Sequence, residues 1–108
     1  MNLPRIYCAL DMPRADSMMA MASTLKDQPV GFKLGMEFFN AEGPAGVRAL
    51  QAACPNSSLF IDLKYHDIPN TVAGAVRAVA QLAPDYLNVH ASGGLAMMQA
   101  ARAALDVG

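Results

Sequence analysis

An α/β fold of four βα units is predicted by three observations on the 108-residue sequence. Short apolar runs alternate with stretches of helical period, one pair in roughly every 25 residues. Each run gives way to a polar or Gly/Pro-containing loop before the helical stretch begins. The strand charges gather at the C-terminal ends: Asp11, Lys33, Asp62 with Lys64, and His90. Repeated strand-helix units of this length imply parallel strands joined by right-handed crossovers, and in such folds chemistry sits at that edge.

The first unit has a strand over residues 6–10, ended by Asp11-Met12-Pro13, and a helix to about residue 26 that Asp16 or Ser17 can cap. Its Met18, Met19, Ala22 and Leu25 fall near helical spacing and read as core. The second has a strand over 30–34, a loop over 35–43, and a helix opened by Pro44 and running to about 53. The third has a strand over 59–63, a polar loop through Asn70 in which Pro69 ends the pairing, and a helix over 71–82. The fourth has a strand over 86–89, the loop His90-Ala91-Ser92-Gly93-Gly94, and a helix over 95–105, shortly before the sequence ends at Gly108. Periodicity alone leaves two architectures open, an open four-stranded sheet of the flavodoxin type and half of an eight-stranded barrel.

Eight basic residues against nine acidic ones, with no Lys/Arg run, supply no electrostatic footprint for nucleic acid. No apolar stretch approaches the ~20 residues of a membrane span and the N-terminus has no leader pattern, so a cytoplasmic, single-domain protein over residues 1–108 is expected. Cys8 and Cys54 are isolated, lie beside apolar residues and read as buried, reduced core thiols.

The densest chemistry lies in Asp62-Leu63-Lys64-Tyr65-His66-Asp67-Ile68-Pro69-Asn70-Thr71. Two residues apart on a strand, Asp62 and Lys64 face the same way, within reach of each other. A lone Asp-x-Lys is usually a solvated ion pair worth ~1 kcal/mol or less. An inward-facing pair in an apolar strand costs several kcal/mol of desolvation per ion, and Lys33 at the matching place on the preceding strand adds a second ammonium. Such a cluster suits an ammonium poised against developing negative charge, with Lys64 also able to give a proton. Asp11 equally suits a turn or helix cap, His90 a hydrogen-bonded structural histidine, and Gly93-Gly94 a turn. Glu37 and His66 are assigned no chemistry.

At these residues the sequence resembles the orotidine 5'-phosphate decarboxylase family. The resemblance is carried by Ala9-Leu10-Asp11, Phe32-Lys33-Leu34-Gly35, the stretch from Asp62 to Thr71, and Val89-His90-Ala91-Ser92-Gly93-Gly94. It covers the chain from Ile6 onward and favours the barrel: four βα units forming the first half of a TIM (β/α)8 barrel. It implies decarboxylation of orotidine 5'-phosphate to uridine 5'-phosphate in pyrimidine biosynthesis, with no metal or organic cofactor. Lys64 would stabilise and protonate the C6 carbanion, Asp62 press on the substrate carboxylate, and Lys33 pair with the cluster and a ribose hydroxyl. Asp11 would contact ribose or base, and His90 is a further candidate for substrate binding. Asp67 and Thr71 would reach into a neighbouring subunit's site, so a homodimer is implied.

Members of the family run to about twice this length, since a closed barrel takes ~200 residues or more and holds phosphate by the loops after strands seven and eight. A complete phosphate site is therefore not expected here, and a half-barrel with open edges is expected to self-associate, two halves closing into one barrel. Two other readings stand beside the decarboxylase. One is a non-catalytic half-barrel that binds a nucleotide or only assembles. The other is the related group of barrels that act on sugar phosphates with magnesium and share an Asp-x-Lys-x-x-Asp strand, but carry a metal-binding carboxylate where this sequence has Lys33.

Overall fold

The computed structural model describes residues 3–107; Gly108, where the sequence ends, lies outside them. The apolar runs form β1 (Tyr7–Ala9), β2 (Gly31–Gly35), β3 (Leu59–Tyr65) and β4 (Tyr86–Val89), each followed by its helix: α1 (Ala15–Leu25), α2 (Met36–Ala53), α3 (Pro69–Ala80) and α4 (Leu95–Val107). All pairings are parallel and the strand order is β1-β2-β3-β4. A flavodoxin-type sheet reverses direction after its first crossover. Here each crossover steps one strand onward in the same sense, which with a common handedness keeps every helix on one face. The arrangement is a barrel wall.

Strand alternation sorts the side chains. Phe32, Leu34, Leu59, Ile61 and Leu63 point to the helices and are buried with Met18, Ala22, Phe38, Val47 and Leu50. A second apolar cluster joins Val72 and Val76 of α3 to Met97, Ala101 and Ala104 of α4. Residues of the other parity face away from the helices. Near the start of the strands they form an aromatic group, Tyr7, Phe60 and Tyr86, with edge-to-face ring contacts at 5.8 to 6.2 Å. Tyr86 is 46% exposed, so this face is not covered by the described residues. Among the described residues no helix is long and apolar enough to cross a membrane.

Three expectations about local structure are corrected. Residues 36–42 are helical instead of a loop, and α2 is two helical segments broken at Gly43 (φ 65°, ψ −165°), with Pro44 opening the second as its sequence suggests. The first segment is too short to show a period and is held by tertiary packing, with Phe38 buried and Phe39 against the core. α3 begins at Pro69 instead of Thr71, because a proline at the first helical position loses no hydrogen bond. Arg14, not Asp16 or Ser17, occupies the N-cap of α1; Asp16 lies in the first turn, where its carboxylate accepts the Ser17 N–H and pairs with Arg14 at 2.9 Å. An acidic group in that turn still complements the helix dipole. Of the two thiols, Cys54 is buried as expected, whereas Cys8 is only partly so.

The break at Gly43 makes a prediction. Its φ/ψ combination is one that only glycine adopts without strain, although open space surrounds the position. Gly43→Ala is expected to lower stability by about 1–3 kcal/mol, measured by urea unfolding. An unchanged midpoint would mean that the kink is not required.

Candidate active site

The charged group sits where β2, β3 and β4 end. In the β2/β3 register Gly35 lies opposite Asp62, so Lys33 starts two residues short, opposite Phe60. Its long side chain covers that offset and brings Nζ to 3.0 Å from Asp62 Oδ2. From the other side, Lys64 Nζ donates to Asp62 Oδ1 at 2.8 Å. The Asn88 amide of β4 donates to the same Oδ1 at 2.7 Å. Asp62 is only 4% exposed and is the one buried charged residue among those described.

Burial pushes the Asp62 carboxyl upward, but hydrogen bonds from Lys64, Asn88 and Lys33, with the Lys33 charge, outweigh it and hold the group at about 2. It is thus ionised at neutral pH, and every buried side-chain polar atom among the described residues has a partner. The two lysines differ: the Lys33 side chain is 29% exposed, that of Lys64 51%. Lys64 is the ammonium with open space before it. Its backbone is also unusual, with φ 52° in the left-handed region that a lysine rarely adopts.

The remaining predicted site residues are arranged around this core without joining it. Asp11 is exposed at the end of β1, its carboxylate beside Gly35 and so next to the strand position opposite Asp62. His90 is exposed, its backbone N–H donates to Tyr65 O, and its ring stacks on His66 with centroids 5.4 Å apart. His66, assigned no chemistry from sequence, therefore belongs to the same rim. Asp67 and Thr71 are exposed around the start of α3. The Asp67 carboxylate accepts the Ile68 N–H at 2.6 Å and makes no hydrogen bond or ion pair with the Asp62 group.

Sequence reasoning missed Asn88. The signal was available: in Tyr86-Leu87-Asn88-Val89 it is a polar residue of opposite parity to the helix-facing Leu87 and Val89.

A succession of βα units whose ionised groups meet at the C-terminal rim places the protein among the (β/α)8-barrel proteins, whose chemistry is built at that rim. Within them the comparison is specific: residues 4–107 match the Orotidine 5'-phosphate decarboxylase / HUMPS family, and the chain belongs to that family. It is 52% identical to the orotidine 5'-phosphate decarboxylase of Rhodospirillum rubrum over 92% of its own length and 40% of the relative's. To that of Novosphingobium aromaticivorans it is 50% identical, over 92% of this chain and 43% of the relative. The crystal structure of orotidine 5'-phosphate decarboxylase from Lactobacillus acidophilus superposes with a TM-score of 0.86 at 34% identity, covering 99% of this chain and 47% of that one. The four βα units are thus the first half of a TIM barrel, and the chain spans less than half the length of the curated relatives it matches.

Proposed function

We propose that the chain carries the decarboxylating half of an orotidine 5'-phosphate decarboxylase site, turning orotidine 5'-phosphate into uridine 5'-phosphate and carbon dioxide. The observation that carries this reading is the Lys64 ammonium, half-exposed and held 2.8 Å from a carboxylate that stays ionised. A substrate carboxylate seated on the open side of Lys64 meets the Asp62 charge nearby, and that repulsion is relieved when the C6–carboxyl bond breaks and neutral carbon dioxide departs. The electron pair left at C6 is stabilised by the Lys64 ammonium, which then transfers a proton to it; the neutral amine regains one from water. Lys33 fixes the far oxygen of Asp62 and is available to a ribose hydroxyl. Asp11 and His90, flanking the cluster, are the candidates for the nucleoside, and no step calls for a metal or organic cofactor.

Asp67 and Thr71, which stand outside the cluster of their own chain, are proposed to act in a neighbouring subunit's site. This reading is supported by their exposure around the start of α3. The open face with Tyr86, and the edges of β1 and β4 that no strand among the described residues pairs, favour self-association. Sedimentation at micromolar concentration is expected to show a dimer or larger species that Tyr86→Glu shifts toward monomer. A monodisperse monomer would end this part of the proposal. The 108 residues are read as one domain, since Tyr65 and Leu87 pack against both apolar clusters, and a cytoplasmic location accords with two free thiols.

The test is turnover of orotidine 5'-phosphate by this chain, with Lys64→Ala prepared identically to expose any contaminating host enzyme. Turnover that requires Lys64 is the expected result. Binding of uridine 5'-phosphate without turnover would instead support a nucleotide-binding half-barrel, since energy from remote contacts such as phosphate also supports the chemical step. The sugar-phosphate reading with magnesium is disfavoured because Lys33 already occupies Asp62 Oδ2. Turnover is expected to be unchanged by a chelator.

A further inference from the structure

The pairing of β3 with β4 is interrupted at the catalytic cluster. Between the pairs Ile61↔Leu87 and Tyr65↔Val89, β3 advances four residues while β4 advances two. The extra backbone bulges opposite Asn88, and Lys64 within it takes the left-handed conformation, φ 52°. A bulge of this kind leaves ladder groups without their usual partners. The Lys64 N–H donates instead to the side-chain oxygen of Asn88 at 2.9 Å. The nitrogen of the same amide donates to Asp62 Oδ1 at 2.7 Å, the oxygen that also takes Lys64 Nζ. The orientation of the amide is set by its partners, because a backbone N–H only donates and an ionised carboxylate only accepts.

We infer that Asn88 is a positioning residue for Lys64: one end of its amide holds the lysine's backbone in the bulge, and the other holds the carboxylate that aims its ammonium. Asn88 needs no contact with substrate to do this. An asparagine suits the position because it presents a donating NH2 and an accepting oxygen side by side on a short side chain. Aspartate keeps the acceptor for Lys64 but sets a second negative charge against Asp62, and alanine supplies neither end. A bulged strand carrying a left-handed lysine has more than one way to relax, so the loss of Asn88 leaves Lys64 present but misaimed.

The two ends of the amide can be tested separately, and only the kinetic arm rests on the decarboxylase reading. In Asn88→Ala, hydrogen exchange of the Lys64 amide is expected to quicken by about tenfold or more while that of Ile61 and Leu34 stays as in the wild type. In Asn88→Asp the Lys64 amide is expected to stay protected, because its acceptor remains. By carboxyl NMR, the Asp62 and residue-88 pair should instead take up a proton at higher pH than Asp62 does in the wild type. Both variants are expected to lower kcat by about 10- to 100-fold, the scale of a misplacement near 1 Å, with KM changed less than about threefold. A purely structural role would speed exchange throughout the sheet and would not separate the two variants. Unchanged Lys64 amide protection in Asn88→Ala, or an equal loss of that protection in both variants, would overturn the inference. Should the wild type show no turnover, the decarboxylase reading fails while exchange and titration still decide the role of Asn88.

Discussion

Turnover of orotidine 5'-phosphate is expected to fall by at least about 10⁴-fold in Lys64→Ala, the product of modest values for the two services proposed for one ammonium. As a preorganised charge beside C6 it is worth roughly 10²–10³-fold, and as the proton donor roughly 10²–10⁴-fold. The fold should survive the change. The Lys64 side chain is half exposed and Asp62 keeps its bonds from Lys33 and Asn88, so a stability loss within about 1 kcal/mol is expected. Lys64→Arg separates the two services, since a guanidinium stays charged at every accessible pH and gives up no proton. It is expected to remain at least about 10²-fold impaired. Steady-state kinetics beside a urea unfolding curve checks both variants, and a Lys64→Ala enzyme within tenfold of wild type would sink the proposed mechanism.

Removing Asp62 is expected to have the largest effect on stability. Asp62→Ala removes the buried carboxylate on which the Lys33 and Lys64 ammonium groups and the Asn88 amide converge and leaves the two like charges facing each other, a loss of about 3 kcal/mol. Asp62→Asn keeps the shape but removes the charge, and its effect depends on pH. The Asp62 carboxyl is held at about 2 against an ordinary value of 3.8. Between those values the unfolded chain binds more protons than the folded one, so the contribution grows with pH. It is fully present above about pH 5, worth about 2 kcal/mol there, and is lost as pH falls toward 2. The wild-type and Asp62→Asn stabilities should therefore converge as pH falls from 5 to 2. Parallel curves, from urea unfolding at each pH, would show that the carboxylate is not stabilised by its neighbours.

Much of this site was legible in the order of residues. The pair Asp62 and Lys64 could be assigned to one face by parity, because side-chain direction along a strand alternates whatever the strand packs against. The placement of Lys33 nearby needed only parallel neighbours and a side chain long enough to absorb the actual two-residue offset. The helical segment before Gly43 was not legible, since six or seven residues carry no readable period and its stability comes from where Phe38 packs. Asn88 was overlooked because a polar residue in a strand has no partner until the neighbouring strand is known. Asp67 and Thr71, which the strand-to-helix loop carries away from the end of β3, stand apart from the cluster in their own chain.

The sequence by itself determined the four βα units, the parity of their faces and the gathering of charge at one rim, because all of these follow from local period and backbone geometry. Local period left the strand order open, and the barrel was legible only through the family resemblance; the tertiary structure alone decided the bulge that turns Lys64 into a left-handed conformation and the third hydrogen bond on Asp62. Each of those depends on which strand lies beside which and in what register, a choice made by side chains distant in sequence once they are packed together.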